Sequence, residues 1–283
     1  MKNKNIFLKK NVNYFAYIPG LIDNTCSQIK IDNKYFLEQT DPAQGGYFYL
    51  KPTRKNILKL KDIIFYFNCL SFENESPFWI FEESNDIKLF DSIDPFNKYE
   101  NNPFFLLDEI QFLKFGIILI NFLDNEEDDN FIIKLMYSKK YHNKKNELSL
   151  YSQALKQSDP FFEYLNYYRI IESIEKSNGK KWIKENIENI NDFNFGKLKG
   201  VTRNKTKKIE IDIYEILKNK CSERLRYIKK NIEMPIEKYL YNVNRCGIAH
   251  GNNPIDFNTH LSEIQSDVYV MKLLAKMAII KKL

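Results

Sequence analysis

The feature that most constrains the fold of this chain is a change in the pattern of apolar residues between positions 141 and 148. Before it, apolar residues come in short aromatic and β-branched runs separated by Pro, Gly and Asn, which is typical of strands. After it, they recur every three or four positions, which indicates helices. A chain of 283 residues also exceeds one ordinary core. The pattern therefore predicts an α+β domain over residues 1–146 and an all-α, helical-bundle domain over residues 147–283.

In the first half, five runs carry the strand prediction: NYFAYIP, GGYFYLKP, DIIFYFNCL, PFWIFEE and FIIKLMYS. Asn102 and Pro103 are a typical cap and first-turn pair, and they predict a helix that continues to about residue 122. The acidic run DNEEDDN follows this helix. We interpret it as a solvated loop, with a metal site as the alternative.

In the second half, cap and stop signals divide the chain into helices. Asp159 and Pro160 predict the start of a helix, and Asn178-Gly179 predicts its end. The basic stretch 191–208 is predicted as a loop, and two helices are expected after it, in IEIDIYEILKNK and SERLRYIKKNIE. Pro235 is expected to start a helix through IEKYLYNVNRCGIAH, and Thr259 is expected to cap the last helix.

Composition bounds the class of protein. The four cysteines show no C-x-x-C spacing, so we expect neither a zinc ligand set nor a disulfide framework. The longest apolar run, FGIILINFL, is about half of the ~20 residues that a membrane span needs. These features predict a cytoplasmic protein without a membrane partner. Residues 151–283 carry 24 Lys and Arg against 16 Asp and Glu, a basic surplus that suggests phosphate partners.

The stretch YNVNRCGIAHGNNP contains one of only three histidines, His250, five positions after Arg245. Histidine titrates near neutral pH and suits proton transfer, and arginine offers phosphate a fixed fork of donors. On a helix, positions five apart lie about 140° from each other. We therefore expect the two side chains of one chain to diverge, so that two symmetric copies, or an unwound turn at Gly247, would be needed to bring them together.

This R-x4-H spacing at the end of a helix resembles the signature of the HEPN superfamily. The stretch LSLYSQALKQSDPFFEYLNYYRIIESIEK is similar to the opening helices of HEPN domains of the ApeA and MauJ kind, and the resemblance covers roughly residues 147–280. It implies a metal-independent endoribonuclease without a cofactor, in which the RNA's own 2′-hydroxyl is the nucleophile. It also implies a homodimer with a composite site, and a role in anti-phage defence or as a toxin.

The resemblance assigns catalysis to Arg245 and His250, but this chain departs from the family after the arginine. Active members usually have a polar residue there, and this chain has Cys246. Asn244 or Asn252 could supply the missing polar group. Glu172 could orient His250 as a carboxylate orients a catalytic imidazole.

Alternatives to these roles remain open at the level of sequence. Arg245 could simply pair with Glu172 or Glu237, and His250 could cap its helix. Cys246 and His250, four positions apart, could also act as a thiol nucleophile and its base.

Two basic clusters suggest an RNA track: Lys205, Lys207 and Lys208 in the predicted loop, and Arg224 and Arg226 in a predicted helix. Their alternative is a solvated surface. The sequence thus predicts a ribonuclease that binds RNA, with a partner protein or trigger ligand at the N-terminal domain. The alternative function is a catalytically silent HEPN module for dimerisation, partner binding or RNA binding.

Overall fold

The computed structural model describes the second half of the chain more completely than the first. In the first half it describes residues 14–17, 28–31, 35–39, 47–52, 60–75, 77, 79–82 and 131–133, and in the second half residues 141–175, 179–204, 207–250 and 257–282. The predicted helix near residues 103–122 and the acidic run after it lie outside the described residues. Two compact units result, Met1–Lys140 with Lys199–Ile211, and Tyr141–Leu198 with Asp212–Leu283.

The first unit contains a six-stranded sheet. Its strands are β1 (Tyr14–Tyr17), β2 (Gln28–Ile31), β3 (Tyr35–Gln39), β4 (Tyr47–Pro52), β5 (Trp79–Glu82) and β6 (Phe131–Ile133), in the spatial order β5-β1-β4-β3-β2-β6. Only the β2–β6 pair is parallel among these neighbours, and Phe15 stands opposite Tyr49 in the β1–β4 pair. Four of the five predicted strand runs thus contain a strand.

The fifth run, DIIFYFNCL, is helical, and its strand prediction is wrong. It lies inside α1 (Leu60–Asn74), where Phe65, Phe67, Cys69, Leu70 and Phe72 are buried. A continuous apolar run cannot be assigned from periodicity alone, because both a buried strand and a buried helix produce it. The helix that contains the run spans 15 residues, which exceeds an ordinary strand.

The second unit is built mainly of helices. They are α2 (Lys145–Leu155), α3 (Pro160–Glu175), α4 (Lys180–Asn186), α5 (Ile213–Asn231), α6 (Ile236–Lys238), a π-helix (Tyr239–Arg245), α7 (Cys246–His250) and α8 (Phe257–Lys281). Short 3-10 turns occur at His142–Lys144 and Ile187–Asn189. The prediction that this half is mostly helical is confirmed. The α+β class of the first half and the boundary at residue 146 stay predictions.

Helix α8 is the centre of the second unit. It packs against α3 and α5, and α2 packs against α3 as well. From Val270 to Ile279 every residue of α8 is buried, as expected of a helix surrounded by others. Tyr164, Tyr167 and Tyr168 of α3 are fully buried as well. The side chains of α3 therefore have fixed neighbours, which matters for the site below.

Of the two helix caps predicted from the sequence, the one at Asp159 is present. The Asp159 carboxylate accepts from the N–H of Phe161 at 2.8 Å, as predicted for the start of α3. Thr259 is not the cap of the last helix, because α8 already begins at Phe257. The two helices expected after residue 208 form one helix, α5, which Asp212 caps by accepting from the N–H of Tyr214.

The predicted loop 191–208 is wrong over its second part. Residues Lys199–Asn204 form β7 and Lys207–Asp212 form β8, and the two strands pair as a hairpin that belongs to the first unit. The N–H of Ile213 donates to the carbonyl of Leu198 at 2.9 Å where the chain returns to the second unit. The alternation in IEID was therefore a strand signal.

The helix after Pro235 contains a π segment that the sequence did not predict. The Cys246 N–H points to the Tyr241 carbonyl, five residues earlier. The Leu240 carbonyl accepts from the Tyr164 hydroxyl at 2.7 Å, and a side chain inserted into the carbonyl ladder is a common cause of such a bulge. In this register Asn244 and Arg245, although adjacent, have different sets of neighbours.

Among the described residues, no helix is long and apolar enough to cross a membrane.

Candidate functional site

Arg245 is held by a carboxylate from α3. Its Nε donates to Glu172 Oε1 at 3.0 Å and its Nη2 donates to Glu172 Oε2 at 3.3 Å. The side chains are 24% and 22% exposed, so the pair lies at the surface of the helical unit. Burial alone would lower the pKa of Arg245, but the bond to Glu172 and its charge raise it above the usual value. The guanidinium is therefore permanently charged and fixed in direction.

His250 contacts the same guanidinium. Arg245 Nη1 lies 3.2 Å from His250 Nε2, and the imidazole is exposed. Because an arginine N–H can only donate, Nε2 is the acceptor if this contact is a hydrogen bond. Nε2 of His250 thus faces the Arg245 guanidinium.

The expected divergence of Arg245 and His250 is wrong. The helical angle between two Cα positions does not fix the distance between side-chain tips, because a long side chain can cross part of the helix surface. The structure brings the two groups together within one chain. The geometric reason for a composite site therefore disappears, and a dimer must be argued on other grounds.

Glu172 does not take the role expected for it. Its two oxygens bind Arg245, and Arg245 in turn contacts His250. The carboxylate therefore positions Arg245. This matches the alternative in which Arg245 simply pairs with Glu172.

An aromatic ring that the sequence analysis missed lies beside this pair. Tyr241 is half-buried, with the Arg245 Cζ 5.8 Å and the Lys180 Nζ 4.5 Å from its ring centroid. Its ring lies 6.0 Å from that of the buried Tyr168. Partial burial, then contact with the Cys246 side chain, raises the pKa of Tyr241. Its hydroxyl therefore stays protonated at neutral pH.

Two spacings could have revealed this ring. Tyr241 precedes Arg245 by four positions, and Tyr168 precedes Glu172 by four, so each tyrosine lies one helical turn before a member of the pair. Lys180 carried no such signal, because its place depends on the backbone at Gly179, directly before α4.

Cys246 lies next to Tyr241, where a helix of π spacing brings positions five apart into contact. It is a half-buried free thiol. His250 Nε2 faces Arg245, so this nitrogen does not contact the Cys246 thiol.

Asn244 is not part of the site. It is buried, and its Nδ2 donates to Asp267 Oδ2 at 2.8 Å. The same carboxylate accepts from Arg224 Nε at 2.6 Å and from the Tyr239 hydroxyl at 2.9 Å. Burial raises the pKa of Tyr239, and the Asp267 charge adds to the rise. These four residues form a closed polar cluster inside the bundle.

The predicted RNA-binding role of Arg224 is wrong because this side chain belongs to the buried cluster. Its side chain is 7% exposed and is committed to Asp267. A guanidinium in this position cannot reach the phosphates of a bound strand without leaving its buried partner. Arg226, two positions later on α5, is exposed and keeps its predicted role as a proposal.

The remaining predicted contacts cannot be placed in the site. Lys205 and Asn252 lie outside the described residues, and Lys207 and Lys208 lie on strand β8, whose backbone alone is described. Among the described residues, no three His, Cys, Asp or Glu side chains form a group that could hold a metal ion.

The sequence model of one family, described as methylamine utilization protein MauJ, matches residues 148–280, slightly less than half of the chain. The chain is similar to this family over the helical unit together with the β7–β8 hairpin. The MauJ part of the expected resemblance is therefore confirmed. Neither a curated protein nor a solved structure matches the chain.

Proposed function

We propose that this protein is a metal-independent endoribonuclease of the HEPN type, with Arg245 and His250 as its catalytic residues. The observation that carries the proposal is the 3.2 Å contact between Arg245 Nη1 and His250 Nε2 at an open surface. A permanent cation and an exposed imidazole, side by side, are the two groups that phosphodiester cleavage by a 2′-hydroxyl requires. The match to the MauJ family over residues 148–280 supports the HEPN part of the proposal, and the proposed activity rests on the Arg245–His250 geometry.

The proposed reaction begins with an exchange of partners. A phosphate of the RNA takes the outward Nη donors of Arg245, while Glu172 keeps the guanidinium in place through Nε and Nη2. His250 Nε2, released from Arg245, then accepts the proton of the 2′-hydroxyl. The 2′-oxygen bonds to phosphorus, a 2′,3′-cyclic phosphate forms, and the bond to the 5′-oxygen breaks. Arg245 neutralises the charge that develops on the phosphoryl oxygens.

The departing 5′-oxygen needs a proton, and this need is the remaining argument for a dimer. One imidazole that has just accepted a proton is poorly placed to deliver it on the opposite side of phosphorus. A second copy's His250 would supply a separate acid, so that each imidazole has one task. We therefore keep the homodimer as part of the proposal, now for the proton balance and no longer for the geometry of the Arg245–His250 pair.

The wider role follows from the same assignment. A ribonuclease that acts on cellular or phage RNA must be held inactive until needed. The first unit, with its six-stranded sheet, is proposed as the region that receives a trigger ligand or partner protein. In this scheme the helical unit cuts RNA as a toxin or in anti-phage defence, in the cytoplasm.

One observation favours the alternative, a catalytically silent module for dimerisation, partner binding or RNA binding. The Arg245 charge is already paired with Glu172 in two bonds, and the position after it holds Cys246 where a polar group is expected. If the pair with Glu172 is never exchanged, Arg245 serves only to fasten the π-helix to α3.

The test is incubation of the purified full-length protein with single-stranded RNA in EDTA. The wild type is expected to cut, and a substrate with 2′-deoxyribose throughout is expected to stay intact. His250→Ala should abolish cleavage without loss of folding, because the imidazole is exposed. His142→Ala, a change at another exposed histidine, is the matched control and should keep activity.

Cleavage of the 2′-deoxy strand, or retained activity in His250→Ala, would contradict the mechanism. Intact RNA with the wild type and with the control, in a protein that still sediments as a dimer, would favour the silent module. A dimer is checked by a solution mass of twice 33.9 kDa.

A further inference from the structure

We propose that Tyr241 and Lys180 form a nucleotide-binding subsite beside the catalytic pair. In this subsite Tyr241 stacks one base of single-stranded RNA, and Lys180 takes a neighbouring phosphate. The inference rests on the proposed function, since it concerns how RNA lies at the Arg245–His250 site.

The surroundings of the Tyr241 ring carry the inference. Two cations lie over this half-buried ring, Lys180 Nζ at 4.5 Å and Arg245 Cζ at 5.8 Å from its centroid. Cations are attracted to the negative face of an aromatic ring, but two of them at one ring also concentrate positive charge at the surface. A phosphodiester strand is the ligand that supplies both a flat base for the ring and negative charge for the cations.

The ring is supported from inside the bundle. Tyr168, which is fully buried, lies 6.0 Å away and limits how far Tyr241 can fold inward. Burial raises the pKa of Tyr168, and the nearby Glu172 charge raises it further, so this support stays neutral. A stacking surface that is held before the ligand arrives loses little conformational freedom on binding.

Lys180 is held over the ring by the turn before α4. Gly179 has φ +73°, a left-handed conformation, and a Cβ at this position would lie 3.0 Å from Ile171 Cγ2. The turn thus packs directly against α3, one residue before the lysine. A side chain at position 179 would push the turn away and remove the ammonium from Tyr241.

The subsite lies next to the reacting group. The same guanidinium reaches His250 Nε2 on one side and the Tyr241 ring on the other. A base stacked on Tyr241 therefore belongs to a nucleotide adjacent to the phosphate at Arg245. Stacking on a tyrosine tolerates every base, so the subsite would position the strand without selecting a sequence.

The test uses full-length protein in a His250→Ala background, so that RNA is bound without being cut. Affinity is measured by fluorescence anisotropy with a labelled single-stranded RNA of about ten nucleotides. Tyr241→Ala is expected to weaken binding by roughly 5- to 150-fold, which corresponds to ~1–3 kcal/mol. Tyr241→Phe should keep the affinity. Lys180→Gln should reduce the slope of log affinity against log salt by about 0.7, the value for one phosphate of a single strand.

A matched control is available in the same unit. Tyr269 is also half-buried, with Lys220 Nζ 5.9 Å from its ring, and Tyr269→Ala should leave the affinity unchanged. A series of RNAs with one abasic position each separates stacking from a structural effect. One abasic position should cost affinity with Tyr241 present and cost nothing in Tyr241→Ala.

Several outcomes would overturn the subsite. They are equal affinity of Tyr241→Ala and its parent, loss in Tyr241→Phe as large as in Tyr241→Ala, or no binding of RNA by the parent. If Tyr241→Ala unfolds at lower temperature, Tyr241→Leu provides a second variant with similar bulk and no stacking face. Wild-type cleavage with Tyr241-independent binding would keep the ribonuclease and remove the subsite. Tyr241-dependent binding without wild-type cleavage would do the reverse.

Discussion

Two arginine–carboxylate pairs lie in or next to the π-helix, and they differ in how far they are buried and in their other contacts. Arg224 and Asp267 are 7% and 0% exposed, and Asp267 also accepts from Tyr239 and Asn244. Arg245 and Glu172 are 24% and 22% exposed, and the other contacts of Arg245 are an exposed imidazole and the half-buried Tyr241 ring. The first pair is closed by its own side chains. The second leaves donors that a ligand can use.

The difference shows how one helix serves two purposes. Asn244 turns into the closed cluster while Arg245 turns toward α3 and the surface, although they are neighbours in sequence. The closed cluster holds the π-helix in register, and the register sets the direction of Arg245. A buried network of this kind stabilises only when every member is satisfied, and a functional group needs the opposite arrangement.

The largest expected effect comes from opening the closed pair. Asp267→Asn leaves the buried Arg224 charge with only the more distant Glu263 carboxylate, 3.9 Å from its Nη2, which should cost about 3–5 kcal/mol in the free energy of unfolding. Urea unfolding followed by circular dichroism measures it. Glu172→Gln is the matched change in the open pair. Equal losses in both variants would break the distinction between the pairs.

The next largest effect is on the rate of cleavage, where Arg245 is expected to matter more than Arg224. Arg245→Lys should lower kcat/KM for RNA cleavage by roughly 10- to 100-fold, or ~1.4–2.7 kcal/mol, because an ammonium cannot bind both Glu172 oxygens and a phosphate as the guanidinium fork does. Its stability should change little. Arg224→Lys should mainly lower stability, with an unchanged rate per folded molecule. Loss of rate in Arg224→Lys at full folding would place the closed cluster in catalysis.

How far the sequence predicts these pairs depends on the range over which each signal acts. The Asp159 cap and the helix after Pro235 were predicted because cap, proline and apolar periodicity are local. The role of Arg224 was not, because its partner Asp267 lies 43 residues later on another helix. The R-x4-H spacing located Arg245 and His250, but helical angles alone gave the wrong geometry. The Tyr164 hydroxyl that occupies the Leu240 carbonyl acts from 76 residues away, beyond any pattern within the stretch itself.

A smaller expected effect is a difference between the two pairs in how salt changes their contribution to the free energy of unfolding. Glu172→Gln should lower the free energy of unfolding by no more than ~1 kcal/mol at low ionic strength, since exposed pairs contribute little. At 1 M NaCl the Debye length is about 3 Å, so this difference should largely vanish. The loss in Asp267→Asn should persist, because its surroundings exclude ions. Measurements of unfolding at both salt concentrations decide between these outcomes, and a salt-independent effect of Glu172→Gln would mean that the open pair is closed in solution.

The smallest expected effect distinguishes the tyrosines of the two sites by pH. Burial and the Asp267 charge raise the pKa of Tyr239 in the folded state above the usual value near 10. The unfolded chain therefore loses this proton first, so the stabilisation is complete below pH 10 and declines as pH rises above it. For one such group the decline is ~0.8 kcal/mol at pH 10.5.

Tyr239→Phe should remove that share of the pH dependence, even though it also loses a hydrogen bond at every pH. Tyr241→Phe should remove a smaller share of the pH dependence between pH 9 and 10.5, because the pKa of Tyr241 is also raised but its ring is more exposed to solvent. Parallel slopes for wild type and Tyr239→Phe would show that water reaches the Tyr239 hydroxyl and that the inner cluster is less closed than its contacts indicate.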